Sequence, residues 1–122
     1  MNDPSSETSP EPSLGANVSV ERDDARHRYE ILVDGERAGL AAYRDRGAQR
    51  VFHHTVVFDA FAGRGLAGRL VQQALTDTRE AGLRIVPVCP YVAKYLVKHG
   101  EFADITDPVT PEVLTWLETE LG

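Results

Sequence analysis

The chain has 122 residues, 42% apolar and 26% charged, which is enough for one soluble globular domain with a modest core and too little for two. Its formal net charge of −6 excludes a general nucleic-acid or anionic-membrane surface and is compatible with a cationic substrate such as an amine. The single cysteine, Cys89, excludes an internal disulfide and a multi-cysteine metal site, so no metal is expected.

Residues 1–16 carry Pro4, Pro10 and Pro12, four serines, three acids and no Lys or Arg, which predicts a disordered tail. A basic leader joined to an apolar stretch is missing, and no apolar run approaches ~18 residues, so the expected location is cytoplasmic. The ordered domain is expected over residues 17–122. Val18 and Val20 alternate with polar neighbours before a turn at Arg22–Ala25. Tyr29–Val33 reads as a strand, Asp34-Gly35 as a hairpin turn, and Ala38–Tyr43 as the partner strand. After a polar turn over Arg44–Gln49, Val51–Phe58 is a fourth strand, completing an antiparallel meander.

Helical spacing of Leu66, Ala67, Leu70, Val71, Ala74, Leu75 and Ala81 predicts an amphipathic helix closed by Gly82. Arg84–Val88 is a short strand, and Pro90 opens a helix over Pro90–His99. Thr110-Pro111-Glu112 starts a last helix, on which Val113, Leu114, Leu117 and Leu121 can pack, with Trp116 as an anchor at the core or its edge. Strands first, then helix–strand–helix, make an α+β domain: one sheet with helices packed on its faces.

The most informative stretch lies between the fourth strand and the main helix: Gly63, Arg64, Gly65, Leu66, Ala67 and Gly68. A glycine-rich turn into a helix gathers free N–H groups and the positive end of the helix dipole, a setting for phosphates. No Gly-Lys-Ser/Thr follows, and the preceding strand belongs to a meander, so neither a Walker loop nor a dinucleotide fingerprint is present. Packing alone can also call for glycines at such a turn.

In this architecture the turn resembles that of the GNAT superfamily of N-acetyltransferases, which holds the pyrophosphate of acetyl-CoA through Gln/Arg-x-x-Gly-x-Gly/Ala. Gly65-Leu66-Ala67 supplies the last part, and Ala62 stands where the family has Gln or Arg, with Arg64 and Arg69 nearby. The chain is also similar to the short single-domain GNAT-like group, through His54-Thr55-Val56-Val57, Gly63–Ala67 and Pro87-Val88-Cys89-Pro90-Tyr91-Val92 in the same order. The resemblance spans about Tyr29–Asp104. It implies acetyl-CoA as co-substrate and an amine as acceptor, with the sheet splayed near Val56–Phe58 so that backbone groups at Val56 and Val57 pair with the pantetheine amides.

For chemistry, the stretch His54–Phe58 holds no acid, so the glutamate base of many GNAT enzymes has no counterpart there. Cys89 precedes a helix start, a place that favours thiolate, and the resembling group implies a role near the acetyl group; the bland alternative is a buried small hydrophobe. His54 is a candidate to accept the amine proton or pair with Cys89. His53 is expected on the opposite sheet face. Tyr95 and Tyr91 are candidates to protonate the CoA thiolate or flank the pantetheine arm, and His99 is a helix-end dipole partner. The expected function is acetyl-CoA-dependent N-acetyl transfer to a small amine or protein lysine; the alternative is a non-catalytic CoA-binding module of the same fold.

Overall fold

The computed structural model describes residues 17–122; the tail expected over residues 1–16 lies outside the described residues. Five strands, β1 (Val18–Asp23), β2 (Arg28–Val33), β3 (Glu36–Arg46), β4 (Gln49–Val57) and β5 (Arg84–Pro87), stand in one sheet in chain order. β1 to β4 are antiparallel neighbours and β5 joins β4 in parallel. The return from β4 to β5 runs through helix α1 (Leu66–Glu80), and helices α2 (Pro90–Lys98) and α3 (Pro111–Leu121) follow.

This is the expected α+β meander with helices on it. The turns are tighter than the sequence suggests. β1 continues to Asp23 and turns at Asp24–Arg26, because Asp23 caps that short turn through its side chain. β3 reaches Arg46, so the following turn shrinks to Gly47-Ala48. Backbone pairing with β4 carries the polar residues Arg44–Arg46 along as strand.

The two faces are covered unequally. One buries Tyr29, Ile31, Ala41, Tyr43 and Phe52 against Leu70, Val71, Ala74 and Leu75 of α1 and Val92 of α2. Each large side chain buried this way contributes roughly 1.5–3 kcal/mol of transfer free energy. On the other face Val51 and Val86 pack against Val113 and Leu117 of α3, with Trp116 at the margin. Leu114 and Leu121, expected to pack, are 42% and 48% exposed because α3 covers only the β4–β5 end of that face.

α1 is also tied to the sheet by polar groups. Arg50, 5% exposed, donates to the Tyr29 hydroxyl at 2.6 Å and to both carboxylate oxygens of Asp45 at 2.8 and 2.9 Å. Its guanidinium carbon lies 4.2 Å from the Tyr43 ring centroid. Tyr29 donates in turn to Asp77 on α1 at 2.5 Å, and Asp77 also accepts from Arg22 of β1. Burial, then the Asp77 contact, pushes the Tyr29 hydroxyl up to about 12. Burial works against the Asp77 carboxylate, but the Tyr29 and Arg22 donors outweigh it and hold its pKa below the usual carboxylate value.

Candidate active site

β4 lies beside β5 only from Gln49 to Phe52. The last link is the Cys89 N–H, which donates to the Phe52 carbonyl at 2.8 Å. Beyond it β4 continues along β3 with no strand on its other side among the described residues. The Phe58 N–H donates to Ala38 on the β3 side, so the trans peptide turns the Val57 carbonyl into the opening. Gly39 lets β3 and β4 close tightly here: a Cβ on it would stand 2.5 Å from the Val56 carbonyl oxygen.

A bulge decides which side chains meet in this opening. Ala42 pairs with His54 and Tyr43 with Phe52, leaving His53 unpaired. Phe52 packs in the α1-side core, Val57 packs against the same cluster, and the Thr55 hydroxyl meets Cys89. Two residues therefore separate Phe52 from Thr55 on one face, where a regular pleat allows one. His53 and His54 both fall on the opposite face, that of Val51 and α3. The expectation that adjacent histidines diverge fails because the extra residue shifts the pleat, and the pairing of His54 with Cys89 is not formed. Burial, then Arg44 and His54, lowers the His53 pKa and favours its neutral imidazole.

Cys89 stands just before α2 and is 3% exposed. Its thiol donates to the Thr55 hydroxyl oxygen at 3.4 Å. This pair spans the point where β4 and β5 part. Thr55 stands inside the His54-Thr55-Val56-Val57 motif with nothing in the sequence to mark it as a site residue; the bulge brings it to this face.

The turn Gly63–Gly68 lies beyond the end of β4. Gly63 and Gly65 have φ of +80° and +70°, and a Cβ on either meets nothing within 4 Å. Backbone conformation, rather than crowding, calls for glycine at both. Gly65 caps α1 without a side-chain bond, and the first helical bond, from the Arg69 N–H to the Gly65 carbonyl, is long at 3.5 Å. The N–H groups of Leu66, Ala67 and Gly68 thus form the open first turn of a 15-residue helix. The Leu66 side chain is buried, so only its backbone belongs to the turn surface. Arg64 lies over the Phe61 ring, with its guanidinium carbon 5.6 Å from the centroid.

Beside this turn a cavity of about 460 Å³ runs between α1 and α2, lined by Gly68, Tyr91, Lys94, Tyr95, Val97, Lys98 and His99. Tyr95 stacks on His99 with ring centroids 4.0 Å apart and planes 18° from parallel. Burial, then the Glu101 charge and Tyr91, raises the Tyr95 pKa and keeps it a proton donor at neutral pH. Tyr91 is 40% exposed, and its hydroxyl lies over Gly68. Lys94 and Lys98 escape a motif reading, although their i, i+4 spacing sets both on the helix side that carries Tyr91 and Tyr95.

A strand released from its neighbour and a glycine turn opening a helix are the two parts that the sequence predicts for an acetyl-CoA site. The family model described as GCN5-related N-acetyltransferase matches residues 28–105, which contain both parts. The chain belongs to that family. It is 35% identical over 88 residues to Protein NATD1 of Bos taurus, covering 70% of this chain and 77% of the relative. Protein NATD1 of Homo sapiens is 35% identical over 85 residues, covering 67% and 74%. The fold is similar to the solution structure of a GCN5-like protein from Staphylococcus aureus, with a TM-score of 0.59, 20% identity and coverage of 78% and 93%. GCN5-related N-acetyltransferases generally use acetyl-CoA. The open helix turn, the adjoining cavity with two lysines and the unpaired β4 edge suit its phosphates and its amide-bearing arm. Among the described residues no helix is long and apolar enough to cross a membrane.

Proposed function

We propose that the protein is an acetyl-CoA-dependent N-acetyltransferase acting on an amine, with Cys89 and Thr55 at the acetyl group. The observation that carries this reading is the parting of β4 from β5 at Phe52, directly over the Cys89–Thr55 pair and leading toward the Gly63–Gly68 turn. Acetyl-CoA supplies the activated thioester. The N–H groups of Leu66, Ala67 and Gly68 hold its phosphates, aided by the helix dipole and by Lys94 and Lys98. The free backbone edge at Val57 holds the amide-bearing arm as a strand would, while the Val56 carbonyl, expected to share that role, is turned toward Gly39 and stays in the ladder with β3.

Positioning carries most of the catalysis here, an effect that can supply about 7–11 kcal/mol of a barrier. Thr55 fixes the Cys89 thiol at the mouth of the opening. Tyr95, protonated and beside the same cavity, serves as donor to a departing thiolate. Tyr91 closes the cavity over Gly68. His54 faces the other side of β4, where it can take a proton from an amine arriving on that face but cannot reach the thiol directly.

Calorimetric titration with CoA should give micromolar binding, and CoA release from acetyl-CoA should require added amine. Absence of binding overturns the assignment. Binding without amine-dependent release leaves a CoA-binding module, a reading favoured by the 3% exposure of Cys89. Intact mass after incubation with acetyl-CoA separates routes: one added acetyl group on Cys89 marks an acyl-enzyme, and an unmodified Cys89 with active turnover marks direct transfer.

A further inference from the structure

The other edge of the sheet is formed by β1. Among the described residues β1 pairs only with β2. The Asn17 carbonyl accepts from the Asp34 N–H at 2.8 Å on the β2 side, so the Val18 N–H, across the same trans peptide, points outward. Strand alternation then turns the N–H and C=O groups of Val18, Val20 and Arg22 to the free edge. Native edges are usually blunted by proline, lysine or a bulge. β1 contains neither residue, and its register against β2 is unbroken.

Beside this edge a groove of about 530 Å³ separates β1 from α1, and Val18, Val20, Arg69, Gln72 and Gln73 are among its walls. Among the described residues no carboxylate lines it, although the protein is acidic overall. Arg69 makes no ion pair among the described residues. The nearest acid along α1, Asp77, is already bonded to Arg22 and Tyr29. Gln72 and Gln73 are exposed carboxamides, which both donate to and accept from peptide groups.

We propose that β1 and α1 form a binding groove for an extended peptide segment carrying an acidic side chain, added to the sheet as a sixth strand. Pairing would run through Val18, Val20 and Arg22, a recognition mode in which main-chain bonds give affinity and the groove gives selectivity. The carboxylate would meet Arg69, and the two glutamines would meet the segment's backbone. The site is independent of the Cys89 opening, which lies at the β4–β5 end.

The test is amide NMR on the full chain titrated with a capped hexapeptide that alternates valine and threonine and carries one central glutamate, up to about 1 mM. Shifts should concentrate at Val18, Val20, Arg22, Gln72 and Gln73. Replacing the peptide glutamate with lysine should weaken binding about fivefold, the scale of one partly exposed charge contact. Val20→Pro removes an outward N–H without breaking a bond to β2, so it should fold and bind about tenfold more weakly. No shifts, shifts confined to the α2 cavity, or equal binding by Val20→Pro would overturn the proposal. Val20 protected from exchange in the free protein would overturn it too: concentration-dependent protection assigns the edge to a second copy, and concentration-independent protection to this chain's own N-terminal segment.

Discussion

The thiol of Cys89 donates to the Thr55 hydroxyl oxygen at 3.4 Å, joining the residue after β5 to β4 where the two strands part. This contact turns a lone cysteine into one end of a defined pair. It also places the pair next to backbone that no neighbouring strand occupies among the described residues.

Cys89→Ala should keep CoA affinity within about twofold while amine-dependent CoA release falls at least tenfold, the scale of one lost catalytic group. Thr55→Val should leave the fold intact, at a cost of about 1 kcal/mol for the lost hydrogen bond, and lower kcat more than it changes KM. Calorimetry and steady-state kinetics on the same preparations check both. Equal loss of CoA binding in Cys89→Ala would make the residue a packing element of the core beside the opening.

Gly39→Ala should destabilise the protein by about 2–4 kcal/mol, as overpacking against a fixed group does. Its new methyl would stand 2.5 Å from the Val56 carbonyl oxygen and 3.1 Å from the Val57 Cα, so β4 must shift. Urea unfolding measures the cost. A greater loss of CoA affinity than in Gly47→Ala, a turn glycine with free space around it, would show that the shift reaches the open edge.

Arg50→Ala should cost about 1–3 kcal/mol, because the Tyr29 hydroxyl loses a nearly buried partner while the Asp45 carboxylate, 42% exposed, is left to water. Arg50→Lys should recover only part of this, since an ammonium cannot bind both Asp45 oxygens and lie flat on the Tyr43 ring. Thermal unfolding of the two variants gives the comparison.

The Asp77 carboxylate sets an acid limit on stability. Its folded pKa lies below the ordinary value of about 3.9, so its contribution is complete above that value and is lost as pH falls toward the folded pKa. Urea midpoints should hold steady above about pH 5 and drop below about pH 4. Asp77→Asn should be less stable at neutral pH and show a shallower acid slope. An unchanged slope would assign the acid limit to other carboxylates.

The fold was legible because the meander, the 3.6-residue period of α1 and Gly82 all act locally. Gly82, with φ of +74°, sits just past the cap of α1 as its place in the sequence predicts. The turn at Gly63–Gly68 was legible for the same reason. The composition of the Cys89 surroundings was not. Thr55 reaches Cys89 only because an unpaired residue shifts the pleat of β4, and nothing in the string His53-His54-Thr55 announces that. Lys94 and Lys98 stayed out of view because two lysines on a helix read as solvated charge until α1 is placed beside them. Leu114 and Leu121 looked like core because helical spacing cannot say how wide a sheet face a short helix will cover.

The extra residue in β4 has a consequence for how this protein can vary. Side chains before it and after it are in different frames, so a regular strand of unchanged length would turn Thr55 away from Cys89 and bring His54 round in its stead, whereas deleting His53 would restore plain alternation and leave Thr55 facing the thiol. The bulge and the residue count are therefore specified together: homologues with one residue fewer ahead of the motif would keep the Cys89–Thr55 contact on a regular strand, and those with the same count would need the bulge.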